Sequence, residues 1–159
     1  MRNAISGLLS KGAILPQGRA AIATETGPAN MRVLLIEDSR LLAEHLLEQI
    51  SGIRAVEPLG VVETEERAID TITLQAPDII VLDLHLKQGT GFGVLAALSH
   101  MNKPPLVIVL TNYALPQYRE RATALGAKYF LDKSNEFDRL PSIIREIIDT
   151  KADSHVGVQ

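Results

Sequence analysis

Four short polar stretches stand where apolar runs end, and between them they hold the chemistry open to this chain. Glu37-Asp38 follows residues 33–36, Asp83 follows 79–82, Thr111 follows 106–110, and Lys133 follows 129–132. Three carboxylates, a hydroxyl and an ammonium gathered in one pocket would suit metal-assisted chemistry on a phosphoryl group. Crowded acids without a counterion raise one another's pKa, so the cluster favours a bound cation. Oxygen donors with water left in the shell suit Mg2+ better than zinc or copper. A carboxylate among them can act as nucleophile and form an aspartyl phosphate, while Mg2+ and the ammonium neutralise the transferred oxygens. Taken singly, an Asp after a strand is more often a turn former or helix cap. The joint pattern carries the reading.

Convergence needs a sheet whose strand ends lie side by side, and the chain from Met31 onward alternates in the required way. Residues 32–37 read as a strand built on the apolar run 33–36, and 39–50 place Leu42, Leu46 and Ile50 on one helical stripe. A weaker strand over 54–62 contains Pro58. Thr64 then caps a helix whose first turn holds Glu65 and Glu66, acids favoured by the helix dipole. Residues 79–82 are the third strand and 92–98 the third helix. Residues 106–110 are the fourth strand, with a helix starting near Leu115-Pro116 and stopped by Gly126. A short fifth strand over 128–131 precedes a helix carrying Leu140, Ile143, Ile144, Ile147 and Ile148 at i, i+3, i+4, i+7 and i+8. Five strands alternating with five helices predict an α/β fold with a parallel sheet covered on both faces.

The first, third and fourth strands are apolar at every position, as strands buried on both sides should be. Proline cannot donate to a ladder, so the second strand belongs at an edge, and the short, mixed fifth strand takes the other. The predicted order is 2-1-3-4-5, the flavodoxin-like doubly wound arrangement. Ligands there bind at the strand ends flanking the switch point between strands one and three, where Glu37-Asp38 and Asp83 stand.

Composition narrows the alternatives. The chain has 159 residues and a net charge of -3, with no run of basic residues that would draw nucleic acid or an anionic membrane. Zero Cys excludes disulfides, thiolate metal sites and cysteine nucleophiles. No apolar stretch approaches the roughly 20 residues of a bilayer span. Residues 1–30 carry +2 against -5 for the remainder and show no sustained periodicity, so they are expected to form a flexible extension. Gly89, Gly91 and Gly93 match neither a P-loop nor the G-x-G-x-x-G spacing. A dehalogenase-like aspartyl phosphatase would need a second Asp two residues after the nucleophile, where this chain has His85.

From Met31 to about Thr150 the chain resembles a receiver domain of the bacterial response regulators, the phosphoacceptor half of two-component signalling. The resemblance rests on Glu37-Asp38, on Asp83 with Gly91 eight positions on, on Thr111, and on Gly126-Ala127 with Lys133 seven residues after the glycine. It implies that Asp83 accepts the phosphoryl group and that Asp38, Glu37, Asp83 and the backbone carbonyl of His85 hold Mg2+. Thr111 and Lys133 would clamp the acyl phosphate, and Phe130 would act with Thr111 as a switch, turning inward. Such a chain catalyses its own phosphorylation and dephosphorylation without turning over a metabolite. Its implied donor is a histidine kinase or phosphotransfer protein in the cytoplasm. The fourth helix, fifth strand and fifth helix would meet a downstream protein or a second copy. Nine residues follow Thr150, so 151–159 are expected to be a tail with no output domain.

Three departures from the family pattern add expectations. Lys87 replaces a common proline, which predicts a more mobile loop over 86–90. Ser134 replaces the proline that often follows the lysine, so a cis peptide is not expected there. His85 and Tyr113, both bulky, hold the two positions that tune hydrolysis, which predicts a long-lived phosphoryl state. The competing reading is a phosphorylation-independent scaffold that keeps the fold.

Overall fold

The computed structural model describes residues 29–157, so the extension expected over 1–30 lies outside the described residues but for Ala29 and Asn30. Five strands, β1 (Met31–Ile36), β2 (Val56–Val62), β3 (Ile79–Leu82), β4 (Leu106–Thr111) and β5 (Tyr129–Asp132), form one parallel sheet in the order β2-β1-β3-β4-β5. Helices α1 (Arg40–Ser51), α2 (Glu65–Gln75), α3 (Gly91–Leu98), α4 (Pro116–Ala124) and α5 (Leu140–Val156) alternate with them, and a 3-10 turn over Phe137–Arg139 leads into α5. The predicted order is the observed one. Pro58 lies on edge strand β2, and the register there skips a residue: Val33 pairs with Pro58 but Leu34 with Gly60, leaving Leu59 as a bulge.

Strand alternation divides the core in two. Leu34, Ile36, Ile80, Leu82, Val107, Val109 and Phe130 face α2, α3 and α4, meeting Ala68, Ile72, Val94, Leu95 and Ala122. Val33, Leu35, Ile79, Val81, Ile108, Leu110 and Leu131 face α1 and α5, meeting Leu46, Ile50, Ile143, Ile144 and Ile147. Each fully buried Leu or Ile contributes roughly 1.5–3 kcal/mol, enough for these two layers to fix the strand ends that carry the polar residues.

Helix α5 does not stop at Thr150. Residues 151–156, expected as tail, are its last turns, and Gly157 is the cap. No glycine or proline interrupts the chain between Pro141 and Gly157, and Lys151 reaches back to Asp78 at 3.6 Å. Among the described residues no helix is long and apolar enough to cross a membrane.

Candidate functional site

The carboxyl ends of β1, β3, β4 and β5 bring the predicted residues to one end of the sheet. β1 and β3 run side by side, so Glu37, Asp38 and Asp83 offer carboxylate oxygens within 4.8 Å of one another. Glu37 and Asp83 are buried, at 3% and 6% exposure, and Asp38 is half-buried. Lys133, just past β5, crosses the sheet end: its Nζ donates to Glu37 Oε2 at 2.6 Å and to Asp83 Oδ2 at 2.7 Å. The other oxygens of these acids take backbone amides, Ser39 N–H on Glu37 Oε1 at 3.0 Å and His85 N–H on Asp83 Oδ1 at 3.2 Å. Three carboxylates and one ammonium leave a formal charge of -2.

Burial pushes the Glu37 carboxyl above its ordinary range, against the opposing pull of the Lys133 ammonium and the Ser39 amide. Burial works to lower the Lys133 pKa, but hydrogen bonds and attraction to Asp83 and Glu37 outweigh it, and the ammonium is held above an ordinary lysine. A raised carboxyl pKa stabilises the fold fully below the unfolded value, and that contribution is lost as pH rises through the folded one. At neutral pH without metal, ionised Glu37 is therefore a cost. Glu37→Gln should raise the urea midpoint in chelator at pH 7, and a lowered midpoint would contradict this.

Thr111 is fully buried at the end of β4, and its Oγ1 accepts the Tyr113 N–H at 3.2 Å. The Lys133 amide donates to the Thr111 carbonyl at 3.0 Å, which ties the ends of β4 and β5 together. Every described peptide bond is trans, including Lys133–Ser134. Asp132 takes no part in the cluster; its carboxylate caps Ser134 and Asn135. His85 and Tyr113 are exposed, with ring centroids 5.4 Å apart.

Gly91 carries a packing constraint. A Cβ there would sit 2.8 Å from Leu84 Cα and closer still to the Asp83 carbonyl oxygen, so helix α3 can start against the Asp83 backbone only without a side chain. Gly91→Ala should cost roughly 1–3 kcal/mol in urea denaturation, as overpacking against backbone does. An unchanged midpoint would contradict that.

Phe130 lies inside the core at 7% exposure, while Tyr129 faces the opposite layer. Arg119 of α4 covers the Phe130 ring at 4.7 Å and donates to the Phe130 carbonyl at 3.0 Å; Arg121 covers Phe92 at 4.2 Å. These arginines look like solvated surface charges in sequence, and nothing in their spacing signals the stacking. The loop over 86–90 is also not loose. Gln88 bridges Thr64, the Lys87 amide donates to the Glu63 carbonyl, and the Glu65 carboxylate accepts the Thr90 N–H.

The response regulator receiver domain family model matches residues 33–145, well over half the chain. The chain belongs to the response regulator receiver domain family. Among curated relatives, the receiver domain is 28% identical to the sensory transduction protein LytT of Bacillus subtilis over 80% of this chain and 55% of LytT. It is 30% identical to the transcriptional regulatory protein YvfU of the same organism, over 76% of this chain and 60% of YvfU. The chain thus spans a little over half the length of these relatives. A solved signal receiver domain from Vibrio parahaemolyticus superposes with a TM-score of 0.70 at 30% identity, covering 82% of this chain and 99% of that one. The phosphorylated cyanobacterial phytochrome response regulator RcpA shares the receiver fold, with a TM-score of 0.65 at 22% identity over 75% of this chain and 91% of RcpA.

Proposed function

We propose that this receiver domain takes a phosphoryl group onto Asp83 from the phosphohistidine of a cytoplasmic histidine kinase or phosphotransfer protein and signals the change through protein contacts. The observation that carries the reading is the Lys133 ammonium seated between Glu37 and Asp83 in an otherwise acidic cluster. A structural ion pair needs one carboxylate; a third acid and a net -2 call for a divalent cation. The donors are all hard oxygens, which fits Mg2+, and Glu37, Asp38, Asp83 and the His85 carbonyl would hold it. When bound, Mg2+ neutralises charge on the transferred oxygens.

In the transfer, an Asp83 carboxylate oxygen bonds to phosphorus while the bond from phosphorus to the donor imidazole nitrogen breaks. The departing imidazole takes up a proton from solvent. Lys133 already points at Asp83, so it meets the roughly -1.5 to -2 charge of the new phosphoryl group without rearrangement. The Thr111 hydroxyl accepts from Tyr113 N–H, which leaves its own proton for a phosphoryl oxygen. A Thr111 drawn inward changes the packing beside Phe130, whose ring and carbonyl are held by Arg119. The switch thereby reaches the surface of α4, β5 and α5, where a downstream protein or a second copy would read it.

Incubation with acetyl phosphate and Mg2+, followed by intact mass measurement, should show one added phosphoryl group, absent when a chelator is present. A protein that stays unmodified both with acetyl phosphate and with phosphorylated kinase would overturn this function in favour of a scaffold.

A further inference from the structure

The carboxylate of Glu65 is placed to act on the metal site without touching it. Glu65 is the first residue of α2, and an acid there is ordinarily explained by the helix dipole, worth about 0.3–1 kcal/mol. That explanation leaves three features unaccounted for. The side chain reaches 25 residues along the sequence to accept the Thr90 N–H at 2.8 Å, and its backbone N–H donates to the Gln88 carbonyl at 3.0 Å. Two glycines make room for it. A Cβ on Gly89 would lie 3.1 Å from Glu65 Cδ, with other side-chain atoms nearer, and one on Gly93 would collide with the carboxylate; Gly89 also has φ +76°. Finally, Thr90 stands opposite His85 in a single antiparallel bridge made by the Gly91 N–H on the Leu84 carbonyl at 3.0 Å, and it caps α3 through Gly93 N–H at 3.1 Å.

We propose that Glu65 is a positioning residue for the Mg2+ site: it holds Thr90, which keeps the adjacent Gly91 N–H on the Leu84 carbonyl, and the His85 carbonyl next to Leu84 is thereby fixed as a metal ligand. The inference rests on the Mg2+ reading above. It assigns to α2 a direct hand in the order of the phosphoacceptor loop, with Glu63 supporting from the side through its carbonyl on Lys87 N–H at 3.2 Å and its carboxylate on Lys87 Nζ at 3.6 Å.

The test uses the full chain and Mg2+ alone. Calorimetric titration should give an Mg2+ dissociation constant about tenfold weaker in Glu65→Ala, the low end for groups that orient metal ligands. Glu65→Gln, which still presents an acceptor oxygen to Thr90 but lacks the charge, should return to within about twofold of wild type, since its role is to accept one hydrogen bond. In chelator, the Thr90 amide should exchange with solvent at least about tenfold faster in Glu65→Ala, as loss of a charge-assisted hydrogen bond implies, and Glu65→Gln should slow it again. Wild-type Mg2+ binding that Glu65→Ala leaves unchanged would overturn the role of Glu65 alone. Equal weakening in both variants would also overturn it, since long-range charge would then be the cause. A wild-type protein that binds no Mg2+ would overturn the metal reading and this assignment with it.

Discussion

Asp83→Asn should abolish phosphorylation from acetyl phosphate and from a phosphorylated kinase, with a loss of more than about a thousandfold in rate, as expected when a covalent nucleophile is removed. The amide is nearly isosteric, so Lys133, Thr111 and the loop can keep their places while the nucleophilic oxygen is gone. The neighbouring acids are poor substitutes. Glu37 has one oxygen on Lys133 and the other on the Ser39 amide, and it lies buried at 3% exposure. Asp38 is half-buried beside Asp83, but the Lys133 ammonium bonds Glu37 and Asp83 and makes no bond to Asp38. The wild-type phosphoryl group should persist well after donor removal, because His85 and Tyr113, two residues past Asp83 and Thr111 and in contact with each other, present no carboxylate or amide to orient water. Loss within seconds, followed by intact mass, would contradict that.

The second large effect concerns stability. Removing Lys133 strands the side chains of Glu37 and Asp83, at 4% and 7% exposure, beside each other and beside Asp38 with no cation. Breaking a buried ion pair by deleting one partner typically costs about 3–5 kcal/mol, most of it the uncompensated charge that remains. Lys133→Ala should therefore lose roughly that much in chelator, measured by urea unfolding followed by circular dichroism, since the chain has no Trp. Mg2+ at a hundred times its dissociation constant should return about 2.7 kcal/mol, because it supplies the missing positive charge to the folded state alone. Lys133→Arg should not restore the wild type, since a planar guanidinium cannot take the place of a compact ammonium reaching two carboxylates. A Lys133→Ala protein within about 0.5 kcal/mol of wild type would show that the cluster is solvated and its charges are screened.

Much of this site is legible in the sequence, and the reasons are local. Pro58 placed β2 at the edge because a missing N–H is a property of one residue, and the three all-apolar strands had to lie inside. Period-2 alternation alone puts Phe130 and Tyr129 on opposite faces of β5, and the stripe from Leu140 to Ile147 marks the buried face of α5. What escaped depends on contacts remote in sequence or on the absence of a stop. Glu65 looked like an ordinary first-turn acid, because its partner Thr90 is 25 residues away. The 86–90 loop looked loose when judged by Lys87 alone, since the Thr64–Gln88 bridge joins two loops. Arg119 and Arg121 looked like solvated charges, because stacking on Phe130 and Phe92 depends on how α4 is seated. Residues 151–156 read as tail because the apolar stripe ends at Ile148, although no residue before Gly157 breaks the helix.

The most direct test of the central claim is to locate the modified residue. Protein treated with acetyl phosphate and Mg2+ would be reduced with borohydride, which converts an aspartyl phosphate to homoserine, then digested and mapped by mass. The predicted result is homoserine at position 83, absent from Asp83→Asn and from chelator-treated samples. Homoserine at position 38, a reduced glutamyl product at position 37, or no reduced residue in protein that has gained phosphoryl mass would contradict it.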